Sequence, residues 1–100
     1  MNRRTKALAI SPDVSKAVYD RDGGKCVLCG KQGNPNAHYI PRSQSGMGIE
    51  QNIVTLCWLC HTDYDNSTLR SEYGARIREY LDFCYPNFDH NKRYYQKGLF

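Results

Sequence analysis

One hundred residues leave room for one domain and little else, and a hydrophobic content of 40% builds only a thin core that a structural metal would usefully reinforce. The net charge of +4 favours a polyanionic partner. No run approaches the roughly 18 apolar residues of a membrane helix, and Ala7-Leu8-Ala9-Ile10 is too short for a signal-peptide core. The chain is therefore expected in the cytoplasm, where five cysteines suggest metal ligation rather than disulfides.

In chain order, residues 1–10 read as a loosely ordered basic arm. Ser11-Pro12-Asp13 is a helix start: a hydroxyl cap, a proline at the first helical position, and an acid at the positive end of the dipole. That approach helix runs to about Arg21 and stops at Gly23-Gly24, closing the segment 11–24. Cys26-Val27-Leu28-Cys29-Gly30 is a knuckle, two cysteines flanking a turn. Ala37-His38-Tyr39-Ile40 is a short strand ended by Pro41, and Ser43 to Gln51 is a loop. The β-branched run Ile53-Val54-Thr55-Leu56 is a second strand. Trp58 to about Asn66 is helical. A longer helix covers Leu69 to about Cys84, with Leu69, Tyr73, Ile77, Tyr80, Leu81 and Cys84 on one face, and Pro86 ends it. The basic tail from Asn87 has no firm assignment. The chain divides into the arm, the approach segment, a core over 25–67, and a C-terminal helix and tail over 68–100, all within one domain.

Two CxxC pairs, Cys26/Cys29 and Cys57/Cys60, carry the most specific chemistry. Each pair brings two thiolates to one side of a turn, and together they make a tetrahedral site that suits Zn²⁺. Four thiolates leave no open coordination position, so this site is structural. Cys84, on the apolar helix face, is expected to be a buried small hydrophobe rather than a fifth ligand. His61 and Asp65 stand at i, i+4 on the predicted helix and share a face. An imidazole nitrogen and a carboxylate oxygen suit a second divalent ion (Mg²⁺, Mn²⁺, Ni²⁺ or Zn²⁺) with positions left for water and phosphate. His38, from the neighbouring strand, is placed to act as general base. His90 sits in a polar tail and reads as surface.

The stretch Cys26-x-x-Cys29-Gly30, Ala37-His38-Tyr39-Ile40-Pro41-Arg42-Ser43, Asn52-Ile53-Val54-Thr55-Leu56-Cys57-x-x-Cys60-His61 and Asp65 resembles the HNH endonuclease family, across roughly residues 26–66. The whole-chain pattern is similar to small HNH proteins of bacteriophages and prophages. The resemblance implies an α+β fold, a zinc-clamped ββα-metal core with flanking helices, and metal-dependent hydrolysis of DNA phosphodiester bonds. It also assigns roles. His38 is the general base, and Asn52 fixes the loop that orients it. His61 is a metal ligand, and Asp65 takes the last helix-ligand position. The four cysteines hold structural zinc.

One departure stands out. Many members carry an aspartate or histidine just before the base, as a further ligand, whereas this chain has Ala37. Either His61, Asp65 and waters hold the metal, or Asn36, Asp63 or His38 fills the shell, and Ala37→Asp is expected to strengthen metal binding. For double-stranded DNA, Arg42 is expected to clamp a phosphate. Arg3, Arg4 and Lys6 in the arm, and Lys92, Arg93 and Lys97 in the tail, are expected to track the backbone. Tyr94 and Tyr95 could stack or simply pack. Nothing resembles a base-reading helix, so sequence preference should be low. The competing functions are a non-catalytic zinc-ribbon DNA-binding module and an accessory subunit of a phage packaging machine.

Overall fold

A computed structural model describes residues 2–96. The first segment departs from the expected loose arm. Arg3–Leu8 forms a short helix, α1, whose Asn2 cap accepts a hydrogen bond from the Thr5 N–H at 2.7 Å. Leu8 is 2% exposed. That one apolar anchor is enough to dock a segment whose composition reads as basic and mobile. Helix α2, Pro12–Asp22, starts on the Ser11 hydroxyl and ends at Gly23 in the left-handed conformation, as the sequence indicates.

Strand β1 (Asn34–His38) pairs antiparallel with β2 (Ile53–Leu56), with Ala37 opposite Val54 and His38 opposite Ile53. The strand predicted over 37–40 therefore starts three residues earlier and ends two residues earlier. Pro35 is tolerated because β1 is an edge strand. Beyond His38 the ladder stops: the Ile40 N–H bonds to the Asn52 side chain instead of to a strand. Helix α3 (Trp58–Asn66) follows β2 directly and completes a ββα unit, and α4 (Arg70–Cys84) packs behind it.

The core lies between the hairpin and the last two helices, where Ala37, Val54, Leu56, Tyr64, Ile77 and Leu81 pack with Cys26, Cys57 and Cys60. A polar staple joins α2 to this core. Arg21 pairs with Asp22 at 2.7 Å and donates to the carbonyls of Glu50 and Ile53, each at 2.8 Å. Asp22 in turn accepts from the Thr55 N–H and the Tyr80 hydroxyl. Buried charges persist when paired and fully hydrogen-bonded, which this arrangement achieves.

After α4 the tail returns across the loop that follows β1. A 3-10 turn over His90–Arg93 leads into backbone bonds from Met47 N–H to the Arg93 carbonyl and from Tyr95 N–H to the Ser45 carbonyl. Arg93, expected on the DNA, is fully buried. It donates through Nε to the Gln51 carbonyl at 2.6 Å, lies 3.8 Å from Asp82, and sits 5.3 Å from the Phe88 ring centre. His90 is half-buried rather than surface, with Nδ1 3.1 Å from Arg93 Nη1 and its ring edge-on to Tyr94. Both corrections share a cause: the tail folds inward on contacts that its own composition does not announce. Cys84 is half-buried, outside the cysteine cluster. Lys97 lies outside the described residues. No helix among the described residues is long and apolar enough to cross a membrane.

Candidate active site and metal centre

The two knuckles meet at the base of the ββα unit. The sulfurs of Cys26, Cys29, Cys57 and Cys60 all lie within 4.8 Å of one another, and Cys29 and Cys57 Sγ are 3.6 Å apart. Zinc–thiolate bonds of about 2.3 Å in a tetrahedron need sulfurs roughly 3.8 Å apart, a spacing the cluster can adopt with small adjustments. Cys57 is also the N-cap of α3, its sulfur accepting the Cys60 N–H at 3.4 Å. Burial works to raise the Cys26 thiol, but backbone N–H donors from Cys57, Cys29 and Leu28 outweigh it and bring the thiol down to about 7. Cys26 is thus the readiest thiolate to receive a metal. From α4, Arg76 donates to the Leu28 carbonyl at 2.7 Å and ties the first knuckle to the helix.

On the far side of the hairpin lies a polar cavity of about 440 Å³. Strand β1 contributes Asn36 and His38, which share a face because side chains alternate along a strand. Helix α3 contributes His61 and Asp65, with His61 Nε2 3.3 Å from Asp65 Oδ2. Arg42, Gln44 and Arg70 complete the rim. One imidazole and one carboxylate on adjacent turns, facing two further polar residues, form a donor set that suits a hard or borderline divalent ion with open positions.

His38 is held from behind. Its Nε2 lies 2.9 Å from the Leu8 carbonyl, so that nitrogen carries the proton and Nδ1 keeps its lone pair. Burial pushes His38 below the ordinary histidine value. The Leu8 hydrogen bond opposes this, and the nearby Arg42 charge adds to it. A neutral imidazole with a fixed tautomer is the form a general base requires.

Asn52, fully buried, organises the intervening loop. Its Oδ1 accepts the Ile40 N–H at 2.9 Å, and its Nδ2 donates to the carbonyls of Met47 at 2.8 Å and Ile40 at 3.2 Å. All of its amide contacts go to backbone, and they fix the chain on both sides of Arg42. The same loop receives α1: Arg4 donates to the Arg42 carbonyl and to Ser45 Oγ, and the Gly48 N–H bonds to Ala7. A Cβ on Gly48 would lie 2.0 Å from the Ala9 carbonyl, and one on Gly46 would lie 1.7 Å from that of Ile40, so neither position accepts a side chain.

The HNH endonuclease family profile matches residues 26–67, a span that holds every knuckle cysteine together with His38, Asn52, His61 and Asp65. A Nostoc sp. protein named anaredoxin is 35% identical over 57 residues, covering 55% of this chain and 75% of that relative. The chain belongs to the HNH endonuclease family. Its HNH unit is the hairpin plus α3, and α1, α2 and α4 lie outside the matched span.

Within this HNH unit, His38, His61, Asp65 and Arg42 line one cavity, while Asn52 sits beneath it and Arg93 is elsewhere. Arg3 and Lys92 are on the surface. Ala37 is not at a vacant ligand position. It is fully buried and packs into the core, on the opposite face of β1 from His38. Asn36, its neighbour, lines the cavity instead. Sequence reasoning missed Arg70 and Gln44, which carry no local signal. It also missed the role of Leu8, which acts through a backbone carbonyl and is invisible in side-chain chemistry.

Proposed function

We propose that the chain is a metal-dependent endonuclease that hydrolyses phosphodiester bonds in double-stranded DNA with low sequence specificity. The observation that carries this reading is the convergence of His38, His61 and Asp65, from two elements, on one polar cavity. In it, His38 Nδ1 takes the proton from an attacking water while Leu8 holds Nε2. His61 and Asp65, with Asn36 alongside, hold a divalent ion (Mg²⁺, Mn²⁺, Ni²⁺ or Zn²⁺). When bound, that ion supplies positive charge for the phosphate oxygens. Arg42 binds a phosphate oxygen at the rim. Asn52 keeps the loop carrying Arg42 rigid. Arg3, Arg4 and Lys92 extend the basic surface available to the DNA backbone. The four cysteines hold zinc in a structural role.

The test is plasmid cleavage by the purified chain with Mg²⁺, Mn²⁺ or Ni²⁺, with His38→Ala as control. Loss on the order of 10²–10⁴-fold in the variant, with zinc retained, is expected. Equal turnover by both proteins would remove His38 from the mechanism. No cleavage by the wild-type chain with any of the metals would favour a non-catalytic DNA-binding role. Cleavage only on adding a packaging protein would favour an accessory role.

The name of the relative, anaredoxin, supports a second reading, because a four-sulfur tetrahedron accommodates iron as well as zinc. Iron in the purified protein, with visible absorbance that bleaches on reduction, would establish it.

A further inference from the structure

A second cavity, of about 570 Å³, adjoins the first. Pro41, Gln44 and Arg70 line both, so the two form one continuous groove that runs from the His61–Asp65 pair toward the first half of α4. The size of the second cavity lies within the roughly 300–1,000 Å³ of small-ligand sites. Thr68 and Ser71 supply hydroxyls, Gly74 and Ala75 form the α4 side, and the nearly buried Tyr64 lies beneath.

Two features mark this groove as built for a ligand. Arg70, at the junction, is preset: its guanidinium lies 4.5 Å from the Tyr64 ring centre, and Nη1 donates to the Tyr64 carbonyl at 3.0 Å. A guanidinium has five N–H donors, so donors remain for a phosphate. The second feature is Gly74, inside a 15-residue helix where glycine weakens the fold relative to alanine. Packing does not demand it. A Cβ at Gly74 would meet Tyr64 at 3.5 Å, an ordinary contact. What the glycine does is keep the groove wall low. Local choices that cost stability without a structural reason point to function.

We propose that this groove binds the DNA strand next to the cleaved bond: one nucleotide unit against Gly74 and Ala75, its phosphate on Arg70. The proposal rests on the nuclease reading. It assigns substrate binding to α4, which the family match at residues 26–67 does not reach.

Gly74→Leu fills the groove, and Gly74→Ala controls for helix propensity. Both are compared with the wild-type chain on a duplex oligonucleotide and on bis(4-nitrophenyl) phosphate, a small diester that needs only the first cavity. Gly74→Leu should lower kcat/KM on the duplex by about tenfold or more, the size of effect that a few carbons exert in a close-fitting pocket. Its hydrolysis of the small diester should match wild type. Gly74→Ala should raise the urea midpoint, keep small-diester hydrolysis, and lower kcat/KM on the duplex by less than Gly74→Leu does. Unchanged duplex cleavage by Gly74→Leu, or equal loss on both substrates, would overturn the proposal. Duplex binding with Ca²⁺ in place of Mg²⁺, read by fluorescence anisotropy, separates the two ideas. Weaker binding by Gly74→Leu supports the groove even if no protein cleaves, in which case the nuclease reading alone fails. Equal binding by both proteins counts against the groove.

Discussion

Replacing Ala37 by aspartate should strongly destabilise the protein rather than complete its metal shell, whereas aspartate in place of Asn36 should tighten divalent-metal binding. Ala37 has no exposed surface and packs among Cys26, Val54 and Leu56. An aspartate there buries an unpaired carboxylate and overfills a tight space. The cost is about 4 kcal/mol or more, against a total stability of about 5–15 kcal/mol for small domains. Asn36 is exposed and shares the cavity with His38, His61 and Asp65. Two opposite unit charges 4 Å apart attract by about 4 kcal/mol at an effective dielectric of about 20. Solvent screening at this open site reduces that to about 1–2 kcal/mol. Half-maximal cleavage by Asn36→Asp should therefore need roughly 10-fold less Mg²⁺. The assays are urea unfolding followed by circular dichroism and a metal titration of plasmid cleavage. A stably folded Ala37→Asp that needs less metal, beside an unchanged Asn36→Asp, would refute the assignment of strand faces.

Three further outcomes are expected. The purified chain should carry one zinc per molecule, and stripping it with a strong chelator should abolish the cooperative unfolding transition, because the four thiols hold together a thin core. Arg93→Ala should lower stability by about 2–4 kcal/mol, read as a lower urea midpoint, and leave duplex affinity of the folded protein unchanged, whereas Lys92→Ala should reduce the salt slope of duplex binding by about 1. His38 titrates below 6.5 in the fold. The neutral base thus persists below that pH, and the acid limb of kcat/KM should lie under it. The same sign governs stability. Protonation favours the unfolded chain, so the His38 contribution is complete above pH 6.5 and fades as the pH falls through that value. An acid limb above 6.5 would contradict the burial of His38.

Much of the site was legible because its chemistry repeats at fixed spacing. The CxxC pairs announced the cysteine cluster, and i, i+4 placed His61 beside Asp65 on one helix. The β-branched run at 53–56 and the Ser11-Pro12 cap placed β2 and α2. What stayed hidden depends on contacts between distant segments. The Leu8 carbonyl, 30 positions from His38, has no signature of its own. Arg93 reads as a tail cation until the tail is seen to pass Gln51. Position 37 misled because motif alignment counts residues, while a strand sorts them by parity: His38 and Asn36 face the cavity, and Ala37 faces inward.

Gly46 and Gly48 show how such packing distorts a map of essential positions. Each lies against a backbone carbonyl with no room for even one carbon, and both sit in the loop that links β1 to Asn52. A survey of random substitutions scored only for lost activity would return them beside His38 and His61, as if they took part in the reaction. They never need to meet DNA to be intolerant. Scoring the same library twice, for activity and for retained metal content, would split it into residues that perform chemistry and residues that merely leave space for it.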